Sequence, residues 1–150
     1  MISTVKWPMV VVLGVLVLGS KAQTQRDPAA SQTHKPVHIT RLYTGADGQT
    51  HAEEIEADFT ANGAYKMAVT GAELHRMSPS ANAGWHPGPR RQYVITLSGH
   101  GEIEVADGKK IPVGPGNIDL IEDTTGKGHI TRNFEDRITL WLPLADQSGQ

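Results

Sequence analysis

Cysteine is absent from the 150 residues. That excludes a disulfide framework, a thiolate zinc site and a cysteine nucleophile, and it leaves no residue for a lipid anchor after the apolar N-terminal run. No excess of either charge stands out: 14 Lys and Arg face 16 Asp and Glu, and the basic residues are scattered. Neither composition nor patterning points to nucleic acid. No internal repeat is visible, and no stretch sustains a helical period; residues 52–58 come nearest and fit helix and strand equally well. Several motifs fail on missing residues. Gly126-Lys127 has the ending of a phosphate loop, but the Gly required five residues before Gly126 is Ile121. Ser98-Gly99 lacks the earlier glycine of a nucleophile elbow. His51-x-Glu53 lacks the cysteines that would hold a deaminase zinc.

The long apolar run is confined to residues 9–18, broken only by Gly14, after Lys6 and before Ser20-Lys21-Ala22. It falls well below the ~20 residues of a bilayer span, and Ser20 and Ala22 are small at the two positions that signal peptidase reads. The sequence therefore predicts a signal peptide over 1–22, cleaved between Ala22 and Gln23, and an exported (periplasmic or secreted) product with no stable membrane span. An uncleaved start or membrane tether is the rival reading. Removing Lys6 and Lys21 leaves 12 basic against 16 acidic residues, a net charge of −4 with His neutral. Residues 23–36 are polar and read as a flexible lead-in, 37–145 as one domain, and 146–150 as a tail.

From residue 37 the chain becomes short β-prone runs with turn residues between them: 37–44, 65–70, 73–77, 92–98, 102–106, 109–113, 118–122, 129–132 and 138–142. Asp107-Gly108, between two alternating runs, predicts a hairpin because both positions tolerate positive φ. Pro112, Pro115 and Pro143 sit at run edges, where a missing N–H does least harm. Many short strands at close spacing imply an all-β antiparallel sandwich or barrel. The period of two places Gln92, Val94 and Thr96 on one face, with Tyr93, Ile95 and Leu97 on the other. It also sets His129 and Thr131 together, opposite Ile130. A pocket lined by His86, Gln92, Val94, His129 and Thr131 is the resulting expectation.

Residues 85–133 carry a further pattern. His86 is followed by Gln92 and then Gly99, and Gly116 opens a later stretch that closes on His129 and Asn133. This layout, about a third of the chain, resembles the paired motifs of the cupin superfamily, small β-barrels that hold a metal or small ligand inside. The resemblance implies an antiparallel cupin-like jelly-roll barrel. Where that family has a His-x-His pair and then Glu and Gly, this chain has His86, Gly88, Gln92 and Gly99. In the second motif His129 and Asn133 keep their places. Residues 123–128 run about two residues longer than usual, and Glu122 stands where Pro is common.

A complete cupin site offers a divalent transition metal (iron, manganese, zinc or nickel) three imidazoles and a carboxylate. The resemblance leaves His86, Gln92 and His129 here, and His75, with Glu73 on the same strand face, is a candidate to complete the set. An amide supplies only a dipole where a carboxylate supplies charge, so such a site is weakened by orders of magnitude. Three ligands with an open position is nonetheless the count of many catalytic zinc centres. Arg91 and Arg132 flank the motifs. Each is equally suited to clamp an anion or to pair with Glu102, Glu104, Glu122 or Asp123, whereas Arg90 is expected to pair.

Two functions follow. The first is an exported protein that binds a small polar or anionic molecule in its cavity through His86, Arg91, Gln92, Thr131 and Arg132, metal-free or weakly metal-bound. The second is a metal-dependent enzyme acting on a small organic acid, sugar or related metabolite. A structural barrel used for homodimerisation fits the β content as well, since Trp141 and Leu142 suit a contact or a core alike.

Overall fold

A computed structural model describes residues 34–80 and 84–145. The expected signal peptide, nearly all of the lead-in and the tail lie outside the described residues. Among those described, no helix is long and apolar enough to cross a membrane.

The domain is all-β. Among the described residues nine strands run in chain order: β1 (His38–Thr44), β2 (Thr50–Glu56), β3 (Glu73–Met77), β4 (Gln92–Ser98), β5 (Gly101–Glu104), β6 (Lys110–Val113), β7 (Ile118–Glu122), β8 (Ile130–Asn133) and β9 (Arg137–Pro143). β3, β4 and β7 have the bounds their alternation predicts. The ambiguous stretch 52–58 falls mostly in β2. The expected run 65–70 forms no strand; it is tied down by an isolated bridge, Val69 to Leu144, with Thr70 donating to the Pro143 carbonyl and Ala145 to that of Ala68. β5 and β6 join through the expected tight turn, where Asp107 (φ 59°) and Gly108 (φ 69°) both adopt left-handed backbone.

Two points correct the expected antiparallel barrel. The described strands form two separate sheets, six strands in the order β2-β1-β7-β4-β9-β3 and three in the order β6-β5-β8, and do not close. The larger sheet is mixed, because β1 runs parallel to β7 while its other pairings are antiparallel. A parallel neighbour needs a long crossover, here the whole chain from β1 to β7, so no local pattern announces it.

The inner face of the large sheet packs on the small sheet. Leu42 of β1, Val94 of β4 and Ile121 of β7 meet Ile103 of β5, then Val105 and Val113 beyond it. The outer face is partly covered by the segment after β2, where Tyr65 and Met67 pack on Ile39, Tyr93 and Leu120. β7 thus has apolar cover on both faces, which explains its run of three buried residues, Asp119 to Ile121. Trp141 packs against the inner cluster and Leu142 against the outer one, the core role of their two expected uses.

Candidate functional site

Between the sheets lies a cavity of about 210 Å³. All five residues expected to share a pocket line it: His86, Gln92, Val94, His129 and Thr131. Backbone pairing brings the two histidines together. His86 and His129 form an isolated antiparallel bridge, each N–H donating to the other's carbonyl at 3.0 and 2.9 Å. Gly128 permits this approach: its φ is +77°, and a Cβ there would collide with the His86 carbonyl. The two rings sit 4.8 Å apart between centroids, tilted by 54°.

Each imidazole has its Nδ1 engaged. His86 Nδ1 donates to the Gly84 carbonyl at 2.9 Å, and His129 Nδ1 meets Asp123 Oδ2 at 2.6 Å. A carbonyl can only accept, so His86 Nδ1 carries a proton. Asp123 is fully buried and also accepts from Thr50 Oγ1 at 2.9 Å. It holds the His129 ring in place from behind, the way a carboxylate orients a functional histidine.

Gln92 is buried at 1% exposure. Its Oε1 accepts from Arg90 Nε at 3.0 Å, Arg90 pairs with Glu73 at 2.6 Å, and Glu73 reaches His75 Nε2 at 3.0 Å. A guanidinium only donates, so it faces the amide oxygen of Gln92 and leaves the NH₂ as the free end. Arg90 is ion-paired, as expected. His75 stacks on Trp141 with centroids 4.1 Å apart and is not among the cavity-lining side chains.

The deeper wall holds charged residues that the sequence reading passed over. Asp119 of β7 and Arg137 of β9 are 1% and 3% exposed and both line the cavity. Neither oxygen of Asp119 has a hydrogen-bond partner, nor do Nε and Nη1 of Arg137. Arg137 belongs to none of the ion pairs among the described residues. Burial pushes Asp119 up to about 7, against the opposing pull of Arg137, and burial likewise lowers Arg137. Asn133 Oδ1 is also unpartnered, while its Nδ2 donates to the Ser78 carbonyl and to Ser80 Oγ, each at 3.4 Å.

Glycines make room for Arg137. A Cβ at Gly101 would lie 3.2 Å from Arg137 Nη1, and one at Gly99 (φ +77°) would strike the Asp136 carbonyl and the start of β9. The signal for both charged residues was parity. Asp119 alternates with Ile121 on the inner face of β7, and Arg137 with Thr139 and Trp141 on that of β9.

The expected anion clamps lie elsewhere. Arg91 pairs with Glu122, which Arg41 also contacts at 2.6 Å; burial would raise the Glu122 carboxyl, but the two guanidinium groups outweigh it and hold it low. Arg132 reaches Glu102 at 3.0 Å and Glu104 at 2.7 Å. Neither arginine lines the cavity. Strand alternation turns Arg132 away from Thr131 and Asn133, and places Arg91 next to the inward Gln92.

The donor set does not fit a metal. Among the described residues no three His, Asp or Glu side chains are grouped to hold one. The amide oxygen of Gln92 is committed to Arg90, and the Arg137 guanidinium adds positive charge to the same cavity, which repels a cation. Gly88 has no side chain to contribute, and a Cβ there would meet Ile121 Cγ2 at 2.5 Å.

No family model matches the chain, and no curated protein matches it. Among solved structures, the crystal structure of protein NMB1881 from Neisseria meningitidis is similar at 17% identity, over 51% of this chain and 76% of that one, with a TM-score of 0.40.

Proposed function

We propose that this is an exported protein of cupin-like jelly-roll design whose cavity binds a small polar or anionic molecule without a metal. The observation that carries this reading is the pair of inward, buried and unpartnered ionisable groups, Asp119 and Arg137. Leaving a buried polar group unsatisfied costs about 1–3 kcal/mol, more for a charged one. A fold that keeps several such groups around one cavity is built for an occupant that satisfies them. Export rests on the short apolar run and the Ser20/Ala22 cleavage pattern. The jelly-roll reading rests on two facing β-sheets together with the motif positions His86, Gly99, His129 and Asn133.

The test is release of bound small molecules from the purified chain by denaturation, followed by mass spectrometry. Wild type should release a polar compound that is missing from Thr131→Phe, in which an added ring fills the cavity. Identical profiles from the two proteins would sink the reading. Metal analysis of the same wild-type sample should return far less than one equivalent.

A further inference from the structure

Resting on that cavity reading, we propose that the ligand is a short hydroxy acid, its carboxylate held by Arg137 and its hydroxyl by the Asn133 amide oxygen and the Gln92 NH₂. Arg137 carries a charge that no pH of interest removes, and it lies in the cavity wall with Nε and Nη1 free. Nε–H and Nη1 lie on different edges of the guanidinium, so each offers a carboxylate a single charge-assisted hydrogen bond, the stronger kind. Asp119, the inward carboxyl that interacts with it, is pushed up to about 7 by burial, so at neutral pH it cancels that charge only in part. A phosphate monoester is a poor match, since it brings close to two charges and three strong acceptor oxygens to a wall with a single guanidinium.

The hydroxyl follows from two amides of opposite orientation. Asn133 spends its NH₂ on Ser78 and Ser80 and leaves Oδ1 as a bare acceptor. Gln92 spends its oxygen on Arg90 and leaves its NH₂ as a donor. A hydroxyl donates to the first and accepts from the second; a methyl satisfies neither. Size agrees: at ~30 Å³ for each water of liquid, 210 Å³ holds roughly seven water-sized groups, enough for a short-chain acid and too little for a nucleotide.

Calorimetric titration of the purified chain with glycerate, propionate and glycerol tests this. Glycerate should bind tightest. Propionate, lacking the hydroxyls, should lose about tenfold or more, and glycerol, lacking the carboxylate, about 100-fold or more. Arg137→Met should abolish the preference for glycerate over glycerol. Should that variant not fold, Asn133→Asp serves instead: it keeps an acceptor oxygen but sets a like charge before the carboxylate, so glycerate should weaken while glycerol does not. Glycerol bound as well as glycerate would overturn the acid assignment and leave the cavity reading standing. Propionate bound as well as glycerate would overturn the hydroxyl. No binding by any of the three overturns the proposal, and if Thr131→Phe also releases the same compounds as wild type, the cavity reading falls with it.

Discussion

Two parts of one interior are built on opposite principles. Around Leu42, Ile103, Val105 and Val113 the sheets meet in dry apolar contact. A few residues along the same strands, the wall carries Asp119, Asn133 and Arg137 with polar atoms that have no hydrogen-bond partner among the described residues. The first part stabilises the fold by removing apolar surface from water. The second costs stability, and a bound molecule that pairs with these groups would offset that cost. The difference separates the residues that hold the sheets together from those kept for a ligand, and mutations should divide along the same line.

The largest effect belongs to the dry part. Leu42 is fully buried in the inner cluster, so Leu42→Ala should destabilise by ~2–5 kcal/mol in denaturant titration. Arg137→Met, equally buried, should be nearly neutral or stabilising, because an apolar chain of similar length replaces an unpaired buried charge. A loss at Arg137 as large as at Leu42 would make Arg137 structural and erase the contrast.

Asp119 gives the contrast a pH dependence. Its folded value of about 7 lies above the ordinary 3.8, so the folded state holds a proton that the unfolded chain releases. Stability from this group is complete below pH ~3.8 and is lost as pH rises through about 7. Asp119→Asn removes the dependence, and its advantage over wild type should grow by about 2–3 kcal/mol between pH 5 and 7.5. Parallel stability curves for the two proteins would show that Asp119 is not the buried, proton-holding group described. The groups facing it are Arg137 from β9, His129 from the start of β8 and Glu54 from β2, and none is altered by the substitution.

The two bridge histidines should differ from each other. His129→Ala strands Asp123 without its closest donor and should cost about 1–3 kcal/mol. His86 is exposed and its ring is bonded only to the Gly84 carbonyl, so His86→Ala, which keeps the backbone bridge, should cost less than about 1 kcal/mol. Equal losses would mean that His86 supports the fold.

The strands were legible wherever a run alternated strongly, as in β3, β4 and β7, whereas the sequence made a pocket with both His86 and His129 sterically plausible and could not show that they converge. The run 65–70 misled because apolar residues there cover a sheet instead of joining one, Tyr65 and Met67 packing on Tyr93 and Leu120. The parallel β1–β7 pair depends on chain distant in sequence, and its register is invisible locally. Asp119 and Arg137 were missed for a different reason. Charged residues are almost never fully buried, so a sequence pattern favours the arginines beside the motif, where alternation in fact turns the side chain outward.

That same alternation supplies the smallest effect. Arg132 lies between the inward residues Thr131 and Asn133, and its guanidinium is engaged by Glu102 and Glu104 on the neighbouring strand β5. These half-buried pairs lie on the outer face of the small sheet, away from the cavity, and Glu102 keeps a second cation in Lys110 at 3.0 Å. Arg132→Ala should therefore leave glycerate affinity within about twofold of wild type, where Arg137→Met loses about 100-fold or more. Side-by-side calorimetry of the two variants decides it. A large loss at Arg132 would place the anion on the outer face of the small sheet, and the cavity's own arginine would then need another explanation.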